Sequence, residues 1–177
     1  MRGLALSVAL TAVLCGAGFA QAQSRRAAPS APAAQEAPPP ADLTADAIAA
    51  WRKAQVDEGD YFHAFDWEDH ARYVRPANGA KPDDPQLRLW VREEYFKAHG
   101  DDDGAHRSNL SLVALDCPLG RLRTLTSDAF PKLNLGGEPR RSDAQDPEWE
   151  YPRPESVEEQ TIYYGCVLLK RAGEADR

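Results

Sequence analysis

Four histidines and the carboxylates beside them are where this chain could do chemistry. His63, Asp66 and His70 carry the residue types of a metal site or an acid–base pair. On a helix their spacing would bring all three to one face. Yet His63 sits inside Tyr61-Phe62-His63-Ala64-Phe65, an aromatic run that reads as a strand, and on a strand Asp66 points to the face opposite His63. Structural roles are therefore expected for these side chains. His99, Asp101, Asp102, Asp103 and His106 form a denser group, with ligand types for Zn²⁺ or Ca²⁺. It lacks the spacing and closing Glu of an EF-hand loop. His99 and His106 are thus the metal-ligand candidates, but a solvated hairpin loop is expected, with no tight metal and no other cofactor. Gly136-Gly137 reads as a turn, because no Lys or Ser/Thr arrangement and no following helix make it a phosphate cradle. Asn109-Leu110-Ser111 fits a glycosylation sequon, a short pattern that by itself does not make a site. No Gly-x-Ser-x-Gly, no His-Glu-x-x-His and no Cys with a plausible base is present. No catalytic residue is assigned.

The start of the chain follows the pattern of a secretory signal. Arg2 supplies a positive charge, Leu4 to Leu14 is apolar apart from Ser7 and Thr11, and Ala20-Gln21-Ala22 is a small-x-small cleavage signal. The apolar run is too short for a permanent span, which needs about 20 residues. Residues 1–22 are read as a cleaved signal peptide, with the mature chain in the periplasm or outside the cell. Cys15 follows Ala12-Val13-Leu14, and bulky Leu14 stands where a lipobox wants a small residue, so Cys15 leaves with the signal. Cys117 and Cys166 remain. In an oxidising compartment two cysteines most simply form one disulfide. Redox chemistry would want Cys-x-x-Cys and zinc more ligands at short spacing, and neither is present.

Residues 23–42 are mostly Gln, Ser, Ala and Pro, a spacer with little to bury. The folded domain is expected over 43–171, with a polar tail at 172–177. Thr44 can cap a helix over Ala45 to Gln55, on which Leu43, Ala47, Ile48 and Trp51 fall at helical spacing. A strand over 61–65 is followed by a polar turn or a short helical turn over 66–73 and a loop over 78–85. Leu87, Leu89 and Val91 alternate with Arg88, Trp90 and Arg92, a second strand that extends towards Phe96. Strands over 110–117 and 121–130 are joined by Pro118-Leu119-Gly120. Residues 131–148 read as a long loop. Ser156 and Glu159 form a capping box. The run from Ile162 to Leu169 suits helix or strand; the capping box favours helix. These elements predict α+β, an antiparallel sheet of four to six strands flanked by N-terminal and C-terminal helices, with one disulfide.

Hydrophobic residues make up 42% of the chain and charged residues 28%, the balance of a globular domain. The net charge of −7 falls to about −8 once Arg2 is removed. That acidity, with no basic run longer than two residues, argues against nucleic acid or anionic lipid as the main partner. Trp67, Trp90, Trp149, Tyr61, Tyr73 and Tyr95 are expected mainly in the core or on sheet faces, with some left to line a binding surface.

Trp90-Val91 in one strand, Asp116-Cys117 closing a later one, and Pro154-Glu155-Ser156 leading to Cys166 occur in that order over about residues 60–166. This ordered set resembles the bacterial surface-adhesin protein E-like domain. The resemblance implies an antiparallel sheet with a packed terminal helix, a disulfide between Cys117 and Cys166, and a binding role, since the family's named member is an envelope adhesin for host matrix proteins. This chain departs from it in lacking a lipobox. The expected function is an exported envelope module without catalytic activity that binds a protein or a small ligand. The rivals are a periplasmic hydrolase with a His/Asp site and a metal-binding periplasmic protein. No nucleic acid and no integral membrane segment after cleavage are expected, and the oligomeric state stays open.

Overall fold

A computed structural model describes residues 38–77, 87–101, 104–143 and 147–175. The expected signal peptide, most of the spacer, the loop over 78–85, and Asp102 and Asp103 lie outside the described residues. The architecture is helix α1 (Ala45–Gln55), strands β1 (Phe62–Asp66), β2 (His70–Pro76), β3 (Leu87–His99), β4 (His106–Asp116), β5 (Arg121–Phe130) and β6 (Arg140–Asp143), then helix α2 (Val157–Ala175). The strands form one antiparallel sheet in chain order, a six-stranded meander. This is the expected α+β arrangement.

The helices lie on opposite faces of that sheet. β3 shows why, because its side chains alternate between two cores. Leu87, Leu89 and Val91 join Val74, Val113, Leu115, Leu122 and Ile162 beneath α2. Phe96 joins Ile48 and Trp51 of α1, with Ala71 and Tyr73 of β2, on the other side. Thr44 caps α1, accepting from the Ala47 N–H at 3.4 Å. Leu43, expected on the docking face of that helix, is instead 62% exposed: it precedes the cap, so the helical spacing does not carry it to the core.

Helix is the outcome for the ambiguous run after Glu159. Ser156 Oγ accepts from the Glu159 N–H at 3.3 Å, one half of the capping box. The Glu159 carboxylate reaches back to the Glu155 N–H at 2.7 Å, one residue earlier than the motif predicts. Thr161, Ile162 and Gly165 form the buried stripe of α2, and the helix continues to Ala175. A Cβ on Gly165 would stand 2.5 Å from Leu115 and 3.0 Å from Leu89, so the glycine marks a close approach of helix to sheet. Cys117, just past β4, and Cys166 of α2 form the expected disulfide, with Cα atoms 5.9 Å apart and a sequence separation of 49.

Two expectations about the sheet need correction. The polar turn over 66–73 holds the start of β2, and the long loop over 131–148 holds β6. In β2 the misleading residues are His70 and Arg72. They are buried at 5% and 8% exposure because Glu93 lies beside both. Paired charges inside the fold look like solvent-facing charges in a sequence. Among the described residues no helix is long and apolar enough to cross a membrane.

Candidate functional site

The histidines separate into three settings. His63 Nε2 lies 2.9 Å from Asp66 Oδ1, contrary to the expectation that a strand would send them to opposite faces. The cause is a bulge between His63 and Phe65 in β1, which adds a residue and returns Asp66 to the side of His63. Asp66 also pairs with Arg52 of α1 at 3.1 Å, so the contact ties helix to sheet. His70 does not join them. Its Nδ1 is 2.7 Å from Asp69, and its Nε2 is 3.7 Å from Glu93.

His99 and His106 are brought together, directly opposite one another on β3 and β4 with ring centroids 5.3 Å apart. Both rings pack on Tyr95, at 4.5 and 5.2 Å. His99 Nδ1 is 3.3 Å from Asp69, and His106 Nδ1 is 3.1 Å from the Gly104 carbonyl. Among the described residues no group of three His, Cys, Asp or Glu side chains could hold a metal ion.

A feature that spacing did not reveal lies beneath the start of α2. Arg72 of β2, Glu93 of β3, Asn109 and Ser111 of β4 and Ser127 of β5 line up across the sheet, and Thr161 of α2 closes over them. They line a cleft of about 260 Å³. Arg72 pairs with Glu93 and donates to Thr161 Oγ1 at 2.5 Å. Asn109 donates to Glu93 at 3.0 Å and to Ser111 at 3.3 Å. Ser111 and Ser127 bond at 3.2 Å, and Ser127 returns to the Asn109 carbonyl oxygen at 3.0 Å, which closes a ring. Burial pushes the Glu93 carboxyl up, but Arg72, His70 and the bonds from Asn109 and Tyr95 together hold it below the usual carboxylate range. Glu93 is therefore ionised at neutral pH. The Tyr95 hydroxyl, 2.9 Å from Glu93, is pushed up by burial and by that carboxylate.

A second cluster lies at the β5 side of the sheet. Arg121 and Arg123 alternate with core residue Leu122, so they point away from α2. Glu150 pairs with Leu122 and carries Trp149 and Tyr151 past them. Arg121 and Arg123 stack on the Trp149 ring at 4.7 and 4.6 Å, and Arg121 lies 6.0 Å from the Tyr151 ring. Asp116 bonds Arg121 from the side at 2.9 Å. Tyr151 is 67% exposed. Of the other aromatics singled out by sequence, Tyr73 and Tyr95 are buried, and Tyr61 and Trp90 half-buried. Trp67 is half-buried against the edge of Phe65, 6.2 Å away. The signal for this cluster was the repeated Arg-x-Arg and Trp-x-Tyr, each with period two, which places like residues on one side of extended chain.

No match to the chain is found among curated proteins or among solved structures. The family model for surface-adhesin protein E matches residues 51–167, from α1 through both cysteines and into α2. The chain belongs to the surface-adhesin protein E family, whose name describes binding at a surface rather than catalysis.

Proposed function

We propose that this chain is exported, loses residues 1–22, and acts in the periplasm or outside the cell as an interaction module without catalytic activity or a resident metal. The observation that carries this reading is the Arg121–Trp149–Arg123 stack with Tyr151 beside it. Trp, Tyr and Arg are the residues in which interface binding energy concentrates. Stacking holds the two guanidinium groups over an indole, so little rotamer freedom remains to be lost on binding. In an otherwise acidic chain this patch favours an envelope or extracellular protein partner that presents acidic or aromatic groups. Family membership supports the same reading.

The test is capture from envelope extract with mature protein, followed by titration of the captured partner. Tyr151→Ala is expected to weaken binding by ~1–3 kcal/mol. Arg121→Ala should weaken it further, because Trp149 loses a stacked neighbour. Unchanged affinity in both variants would remove the patch from the interface. The rival hydrolase reading rests on the His63–Asp66 contact. A substrate screen decides it: turnover abolished by His63→Ala in folded protein makes the chain an enzyme.

A further inference from the structure

We infer that the partner docks an extended, acidic segment of its chain on a surface that runs from the Trp149 stack across the sheet to Arg88 and Trp90. The inference rests on the reading of that stack as an interface and names what the interface takes. The sheet register lays the surface out. Helix α1 and the residues packed with it cover Ala71, Tyr73 and Phe96, at one end of their face of the sheet. The other end of the same face carries three rows of side chains. Asp116 stands opposite Arg121, Arg88 and Arg123 flank Ala114, and Trp90, Leu112 and Thr126 make the third row. On β3 and β4 these positions alternate with Leu89, Val91, Val113 and Leu115, which belong to the core beneath α2, so the rows face away from it.

The groups in these rows that would meet a partner reach solvent. Arg88 is exposed and has no ion pair to a described residue. Trp90, Leu112, Arg121, Arg123 and Trp149 are half-buried, and Tyr151 is 67% exposed. Ala114 is only 1% exposed, so the longer side chains around it close over it and make the surface continuous. Asp116 bonds Arg121 through Nε at 2.9 Å, but a guanidinium has five N–H donors and keeps others for a partner.

Spacing selects the form of the segment. Rows along a strand repeat every two residues, about 7 Å. Side chains at i, i+2 and i+4 of an extended segment repeat at the same interval. Laid along β5, such a segment sets two carboxylates on Arg121 and Arg123 and an apolar side chain on Trp90 and Leu112. Stacking on Trp149 holds both guanidinium groups in advance, which suits bidentate pairing with carboxylates. Arg88 adds its charge from the side. A helix repeats at i+3 and i+4, about 5–6 Å, and falls out of step with the rows. Charge limits the length. The chain as a whole carries −7, so a long sulfated glycan is repelled beyond the patch, while a short segment with two carboxylates is not.

The test follows backbone and indole N–H shifts of the isotope-labelled mature protein. The probe is the capped peptide Glu-Ser-Glu-Ser-Leu-Ser. Its comparisons are the same composition as Glu-Glu-Ser-Leu-Ser-Ser, the version with Gln for both Glu, and a heparin-derived hexasaccharide. The probe should give saturable shifts at Arg88, Arg123 and the Trp90 and Trp149 indoles, with a Kd on the order of a millimolar. The reordered and Gln peptides should bind more weakly. Arg88→Glu, a change at an exposed side chain that leaves the fold intact, should weaken the probe by about fivefold or more. Absence of saturable shifts with the probe overturns the inference. So does equal binding of the reordered peptide, saturation by the hexasaccharide alone, or indifference to Arg88→Glu. Titration of the captured partner separates this inference from the reading beneath it. If Tyr151→Ala weakens that partner and Arg88→Glu does not, the interface stands and the acidic segment falls. If neither variant matters, both fall.

Discussion

Glu93 and Glu94 are neighbours on β3, both buried, and they face opposite sides of the sheet with their carboxyls driven in opposite directions. Glu93 faces α2, where Arg72 leads the groups that overcome its burial. Glu94 has no exposed surface; burial pushes its carboxyl up, and Arg92 at 2.6 Å with the Asn134 N–H at 3.0 Å offsets only part of that. Glu93 thus contributes stability that is present above its ordinary value of 4.5 and lost as pH falls through its lower native value. Glu94 does the reverse: it costs stability as pH rises from 4.5 through its raised native value. Urea titrations from acid to neutral pH should therefore show opposite trends for Glu93→Gln and Glu94→Gln. The first variant loses ground against wild type as pH rises, reaching about 3 kcal/mol from the broken buried pair. The second gains ground over its own window. Trends of the same sign would refute the assignment.

The disulfide joins the end of β4 to the middle of α2 and closes a long loop. The double Cys117→Ser, Cys166→Ser variant is expected to lose about 2–4 kcal/mol, because loop-closure entropy returns to the unfolded chain. Chemical denaturation of both forms measures it, and thiol titration of protein from an oxidising compartment should find no free thiol. Two free thiols would overturn the pairing.

Gly165→Ala tests helix propensity against packing. Alanine favours a helix by about 1 kcal/mol over glycine. Here the new methyl meets Leu115 and Leu89, both at 0% exposure with no space to retreat into. Overpacking of this kind costs about 1–3 kcal/mol, so a net loss of stability is expected. A more stable variant would mean that α2 can lift from the sheet.

No single histidine is expected to carry function. Alanine at His63, His99 or His106 should leave partner binding intact. His70→Ala should cost stability of about 1–3 kcal/mol, because it strips a buried partner from Asp69 and Glu93. A Zn²⁺ titration should show no micromolar site. Micromolar binding that vanishes in a His99→Ala, His106→Ala double variant would revive the metal-binding reading.

Tyr151→Ala separates surface function from folding. The side chain is 67% exposed, so stability should stay within about 0.5 kcal/mol while partner affinity falls. Trp67→Ala should behave in the opposite way, since that ring packs on Phe65. A melting curve and a binding curve for each variant decide both points.

Period-two alternation, turn residues and helix caps are local signals, and they made most of the fold readable from the sequence alone: the β3 pattern from Leu87 to Arg92, the hairpin at Pro118–Gly120, the Thr44 cap, the Ser156 box and the two cysteines. The ordered motifs also carried the family. Three things were decided only in three dimensions. A single bulge in β1 put Asp66 beside His63, and no residue type announces a bulge. His70 and Arg72 disguised β2, because whether a charge is solvated or buried depends on the strand that arrives next to it, here Glu93 from over twenty residues later. The cleft beneath α2 draws one to three residues from each of four strands and two from a helix, and its ring of hydroxyl and amide groups exists only once the meander sets Asn109, Ser111 and Ser127 in register. Hydrogen bonding and burial are properties of neighbours in space, so the sequence determined which groups were present, and the packing of strand against strand decided what each could reach.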